Sequence, residues 1–159
     1  MTTGDHQLPD YSASLPLALM RARESVMRHF RPVLADHELT EQQWRVLRAL
    51  DAADEGLEVG ELAERTFLLG PSLSRMLATL EARGVVGRHR VPGDQRRSRM
   101  VITDAGREVV TSVGARTSLG YERIEERFGP DRLAVLHELL AELARVEPES
   151  AHDAGELAS

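Results

Sequence analysis

Six arginines crowd into residues 83–99: Arg83, Arg88, Arg90, Arg96, Arg97 and Arg99, opposed there by Asp94 alone. That window carries +5 in a chain whose formal charge is −6. A basic island on an acidic body suits local contact with a polyanion, not general adhesion. More candidates stand just upstream. Ser72, Ser74, Arg75 and Thr79 lie off an apolar stripe of Leu73, Met76, Leu77 and Leu80, spaced i, i+3, i+4 and i+7. Small hydroxyls near a helix start can bond phosphates and base edges without steric cost. Arg can grip guanine through two parallel hydrogen bonds, which makes Arg75 the expected base reader. Arg96 falls at or beside the tip of the basic segment, where a cation can enter the electronegative minor groove. Asp94 is an odd neighbour for a phosphate; its sensible role is to orient Arg96. Arg88, Arg90, Arg97 and Arg99 complete the set of expected DNA contacts.

Other chemistries lack their residues. Cysteine is absent, which excludes disulfides, thiolate zinc sites, thiol catalysis and cysteine redox sensing. His6, His29, His37, His89, His137 and His152 include no pair three or four apart on one helix. No Gly-rich phosphate loop, GxSxG or HExxH occurs. No catalytic residue, metal ligand or cofactor is expected, and the chain does not read as an enzyme. All 20 basic residues are Arg, most simply a codon bias toward GC-rich DNA. No apolar run approaches the roughly 18–20 residues needed to cross a bilayer. The start, MTTGDHQLPD, does not resemble a secretory signal, so the expected location is the cytoplasm, with no membrane partner.

The elements that must position these residues can be read in order. Residues 1–13 and the acidic stretch 147–159 lack apolar periodicity and are expected to be flexible tails. A first helix is expected over 14–35, with Pro16 in its first turn and Leu19, Val26, Phe30 and Val33 on one stripe; Pro32 should bend or end it. Thr40 and Gln43 form a capping box, with Leu39 and Trp44 as the hydrophobic staple of a helix running to about Ala52. A short helix covers Val59 to Thr66. After FLLG comes a fourth helix, with Gly70 as N-cap, Pro71 first inside and Gly84 as left-handed C-cap. VVGRHRV and RRSRMVI, split by PGDQ, read as a hairpin. Thr103 then caps a helix from Asp104 to Phe128, stopped by Gly129 and Pro130. A last helix spans Asp131 to Val146, with Leu133, Leu136, Leu140 and Leu143 on one face. Helix, short helix, linker, helix and basic hairpin, in that order, describe a winged helix-turn-helix. The fold class is therefore mainly α: four helices, a β-hairpin and two more helices.

These residues also carry a resemblance. From Leu39 to Gly106 the chain is similar to the multiple antibiotic resistance regulator (MarR) family, through LTEQQWRVLRAL, VGELAERTFLLGPSLSRMLATLEARGVV and DQRRSRMVITDAG. With SLPLALMRARESVM ahead of them, they resemble the branch of homoprotocatechuate-degradation repressors, with hydroxycinnamate-catabolism regulators as close relations. Val85 and Ile102 stand where Leu is usual. The resemblance implies a homodimer on a pseudo-palindromic DNA operator, with 14–38 and 104–146 as dimerisation helices around a winged domain at 39–103. It further implies a repressor released by a small aromatic carboxylate or its thioester. Carried over from relatives, the effector site would draw on Met20, Arg21 and Ser25 of the first helix and Trp44 and Arg45 of the second. Trp44 also fits a core staple, and Arg21 a salt bridge within the dimer. Two further readings stay open: control of an efflux or stress operon, and a winged-helix module that binds protein instead of DNA.

Overall fold

In the computed structural model, residues 11–91 and 94–146 are described, apart from the side chains of Ser12, Val91 and residues 94–97. After a single 3₁₀ turn, Tyr11–Ala13, the helices are α1 (Leu15–Met27), α2 (Arg31–Asp36), α3 (Glu41–Asp51), α4 (Val59–Thr66), α5 (Gly70–Ala82), α6 (Asp104–Phe128) and α7 (Pro130–Leu143). Three strands, β1 (Leu57–Glu58), β2 (Val86–Val91) and β3 (Asp94–Ile102), form an antiparallel sheet in the order β1-β3-β2. This is a mainly helical winged helix-turn-helix. The chain divides after Gly120 into two compact units.

The first unit is organised around one core. Val46, Leu47 and Leu50 of α3, Leu62 of α4, and Leu73, Leu77 and Leu80 of α5 are buried together with Met100 and Ile102 of β3. The stripe read from the sequence on α5 is thus its anchoring face, with Met76 partly buried at its margin. Local signals set the ends. Gln43 N–H donates to Thr40 Oγ1 (3.1 Å), and Thr40 N–H to Gln43 Oε1 (3.0 Å), completing the reciprocal cap. Gly84 ends α5 at φ +71°, where a side chain would be strained. Gly106 N–H donates to Thr103 Oγ1 (3.1 Å), so Thr103 caps α6 as its position suggested. Gly106 itself leaves no room for more: an added Cβ would stand 2.2 Å from the Val85 carbonyl oxygen.

Four expectations need correcting. The first helix is two: α1 stops at Met27, a turn of Arg28, His29 and Phe30 intervenes, and Pro32 sits in the first turn of α2. Pro32 therefore starts a helix, where its missing N–H costs nothing. Phe30 is pulled inward, 6% exposed, against Gly120, whose missing Cβ makes the space. The N-cap of α5 is Leu69, not Gly70. The last helix begins at Pro130 and ends at Leu143. β1 was not foreseen; its two residues pair with Met100 and Arg99.

The second unit comprises the end of α6 and α7. Arg132 lies over the Phe128 ring, 4.6 Å from its centroid. Phe128, Val135, Leu136 and Leu139 line an apolar groove of about 350 Å³. No residue of α7 is buried.

Candidate nucleic-acid interface

The turn that presents α5 is built by two neighbours. Phe67 closes α4 in the left-handed region (φ +53°), reversing the chain before the second helix of the pair. The Thr66 hydroxyl donates to the Leu62 carbonyl, while the Thr66 carbonyl accepts from Arg45 Nη1 at 2.7 Å. That bond satisfies a carbonyl the helix end would otherwise leave open. Arg45 of α3 thereby fixes the end of α4.

With its apolar stripe buried, α5 turns Ser72, Ser74, Arg75 and Thr79 to solvent. Thr79 Oγ1 donates back to the Arg75 carbonyl (3.1 Å). Among the described residues, the Arg75 guanidinium has neither an ion pair nor a hydrogen bond, so all its donors are available.

The hairpin sorts the basic island by strand alternation. Arg88 pairs in register with Met100, and Arg90 with Ser98, placing both arginines on one face of the hairpin. Arg88 reaches Glu81 of α5 at 3.5 Å and the Ser98 hydroxyl at 3.3 Å, tying the hairpin to the end of α5. Arg90 is exposed and, among the described residues, unpaired. Arg99 pairs with His89, on the opposite face, and meets Glu55 and Glu61 at 3.6 and 3.5 Å. The Glu61 carboxyl is held below its ordinary pKa first by the Glu58 backbone N–H and then by Arg99. Arg99 joins the sheet to α4 and does not stand beside Arg88 and Arg90. Arg83 is also withdrawn, donating to the carbonyls of Glu38 (2.8 Å) and His37 (3.1 Å). Asp94, Arg96 and Arg97 belong to β3; their side chains, and with them the expected Asp94–Arg96 pairing, lie outside the described residues.

The residues expected to hold a ligand are less gathered. Met20, Arg21 and Ser25 are exposed on α1. Arg21 has no partner among the described residues, whereas Arg45 is committed to Thr66. Trp44 packs against the core and carries Arg48 over its ring, 5.9 Å from the centroid. Arg48 was missed in the sequence, although its place four residues after Trp44 is the signal for it. It is 58% exposed and only loosely paired to Asp51, at 3.7 Å.

A second missed cluster joins α1 to the start of α3. Arg23 bonds Glu41; Arg31 bonds both Glu41 and Glu24. The Arg31 bond lowers the pKa of Glu24. Desolvation pushes Glu41 up, but Arg31 and Arg23 together outweigh it and its pKa is lowered. The same carboxylates raise that of Arg31. No helix among the described residues is long and apolar enough to cross a membrane.

A family model described as the MarR family matches residues 37–97. The HTH-type transcriptional regulator FarR of Neisseria gonorrhoeae is 38% identical over 85% of this chain and 92% of its own length. The homoprotocatechuate degradative operon repressor of Escherichia coli is 36% identical over 81% of this chain and 86% of its own. Among solved structures, NadR in complex with 4-hydroxyphenylacetate is 37% identical, with a TM-score of 0.76 over 89% of this chain and 99% of that one. The transcriptional repressor CouR bound to a 23-mer DNA duplex is 33% identical, with a TM-score of 0.77 over 87% and 98%.

Proposed function

This chain belongs to the MarR family of DNA-binding transcriptional regulators, which are not enzymes, and from that premise we propose that it is a homodimeric repressor released by a small aromatic carboxylate. The observation that carries the DNA half is the unpaired Arg75 on a helix anchored through its opposite face. Arg75, with Ser72, Ser74 and Thr79, enters the major groove; Arg90, Arg96 and Arg97 meet the backbone and minor groove, with Asp94 orienting Arg96. Arg88 and Arg99 serve this interface indirectly, by holding the wing to α5 and α4. Residues 39–103 act as the DNA-binding domain. The helices at 14–38 and 104–146 carry the dimer, since the apolar faces of α1 and α7 need a second surface.

The effector half rests on Trp44 with a cation stacked on it, and on relatives whose names point to aromatic acids. The E. coli relative represses a homoprotocatechuate degradative operon, and NadR was solved with 4-hydroxyphenylacetate. An indole face can hold the ring, and an arginine fork the carboxylate. Arg48 takes the place beside Trp44 for which Arg45 was expected, because Arg45 is spent on Thr66. Met20, Arg21 and Ser25 supply the other wall once α1 is covered.

Trp44 is the single tryptophan of the chain, so its fluorescence reports the site directly. Titration with 4-hydroxyphenylacetate or a hydroxycinnamate should quench it and release the protein from its operator. Arg21→Ala and Arg48→Ala should blunt both responses while leaving operator affinity nearly intact. Unchanged release by Arg21→Ala would remove α1 from the pocket. Absence of any response to aromatic carboxylates would refute the effector class and favour the efflux or stress reading.

A further inference from the structure

We propose that His37 and Arg83 form a joint that fixes the recognition helix α5 to the long helix α6, and that both are positioning residues for operator recognition. The joint is the end of α2 and the turn that follows it, residues 36–38. From one side Arg83, the C-cap residue of α5, donates to the carbonyls of Glu38 and His37 at 2.8 and 3.1 Å. From the other side α6 takes hold twice: Arg116 bonds Asp36, and Ser112 meets His37 Nε2 at 2.9 Å.

The proton placement on His37 follows from its partners. Its Nδ1 lies 2.8 Å from the Val33 carbonyl oxygen. A carbonyl only accepts, so Nδ1 carries the hydrogen, and in the neutral ring Nε2 accepts from the Ser112 hydroxyl. The imidazole thus bridges the last turn of α2 and α6 through both nitrogens.

The loop between these grips is stiff. Glu38 adopts φ +53°, a region side chains rarely occupy. It is held there by two bonds that close α2: Glu38 N–H to the Ala35 carbonyl and Leu39 N–H to the Leu34 carbonyl, both 2.9 Å. Leu34 and Leu39 root the segment in the core, 1% and 6% exposed. The carbonyls that Arg83 grips lie just past the C-terminus of α2, where a cation is electrostatically favoured. A tilt of α5 away from α6 must break the fork of Arg83 or unseat His37. Sequence alone counts Arg83 among the basic island; geometry takes it out, because both its terminal nitrogens donate to backbone carbonyls of this loop.

The test uses the duplex that the wild-type protein selects from a random pool. Arg83→Lys keeps the charge but loses the two-carbonyl fork, and Ser112→Ala removes the hydroxyl on His37. Each should lower affinity for the selected duplex roughly threefold to thirtyfold. Affinity for random duplex and its salt dependence should not change. The double variant should bind no worse than the poorer single one, because a joint broken once is already broken. Multiplying losses would make the two contacts independent and overturn the proposal. So would wild-type affinity in either single variant, or a loss shared by random duplex with a shallower salt slope, the mark of a phosphate contact. Should Ser112→Ala lower the melting temperature, Ser112→Thr decides: restored affinity supports the joint, and failure of that rescue overturns it.

Discussion

Between Leu34 and Val113 most large apolar side chains of helices and strands are buried in or packed against one core, with Phe67 and Leu69 of the α4–α5 turn exposed, while on α1 and α7 not one residue is buried. Leu15, Leu19, Met20 and Val26 on α1, and Val135, Leu139, Leu140 and Leu143 on α7, all stand exposed. Composition does not separate the regions, since both are rich in Leu and Val. What separates them is where the complementary surface comes from. The α5 stripe is buried in one core with residues of α3 and α4, whereas no residue of α1 or α7 is buried. Under the proposed function, the first arrangement fixes a reading head, and the second is the surface a second copy would complete. That division matches the task, because a dimer-dependent binder must hold each recognition helix rigidly yet keep the spacing between heads adjustable.

The comparison breaks most visibly in the core. Leu77→Ala should cost about 2–5 kcal/mol of unfolding free energy, as a fully buried leucine does; chemical denaturation measures it. The matching change on α7, Leu139→Ala, should leave that unfolding transition in place once the chain is monomeric. Its effect belongs to self-association, where about 1.5–3 kcal/mol is the scale for burying such a side chain. Sedimentation at graded concentrations reads it. Equal damage to monomer folding from both variants would erase the distinction between the regions.

Within the reading head, Arg75→Ala should weaken operator binding by about 1–3 kcal/mol and relax preference at one base position. Arg99→Ala, in contrast, should act on the attachment of the sheet to α4 and leave base preference alone. Competition with single-base-substituted duplexes separates them. If Arg75→Ala weakens specific and random DNA equally, Arg75 is a phosphate clamp.

The smallest effect concerns the seam between α1 and α3. Glu24 and Glu41 have lowered pKa values in the folded chain, so they bind fewer protons than the unfolded chain does near the ordinary carboxylate pKa. Their stabilisation is therefore present above about pH 4.3 and fades as pH falls through the lowered values. Glu41→Gln should lower the melting temperature at neutral pH and lose that deficit in acid. A deficit independent of pH would mean that Glu41 contributes by packing and not by charge.

How much of this was legible in the chain depended on the range of the forces involved. Thr40 with Gln43, Gly84 after α5 and Thr103 before α6 act over a few residues, and each ends its element where the sequence placed it. The α5 stripe was legible because a helical period declares its buried face whatever covers it. The break at residues 28–30 was not, because Phe30 turns inward against Gly120, 90 residues away. β1 escaped notice for the same reason: two residues become a strand only by pairing with Met100 and Arg99. For the interface, residue type revealed the basic island, but partners decided its membership. Arg83, Arg88, Arg99 and Arg45 are each engaged by a group outside their own element, whereas none of the described residues engages the guanidinium of Arg75 or Arg90. Arg45 comes from the family resemblance alone, whereas the helical repeat places Arg48, four residues on, over Trp44.

The most direct test of the central claim is binding of the wild-type protein to its selected duplex with the spacing between half-sites altered. Two reading heads on one dimer require half-sites about one helical turn apart, roughly 34–36 Å. Inserting half a turn should reduce affinity to the level of random DNA while each half-site sequence stays intact. Undiminished binding to the altered duplex, or to a single half-site, would show that one chain reads DNA alone and that the exposed faces of α1 and α7 serve some other end.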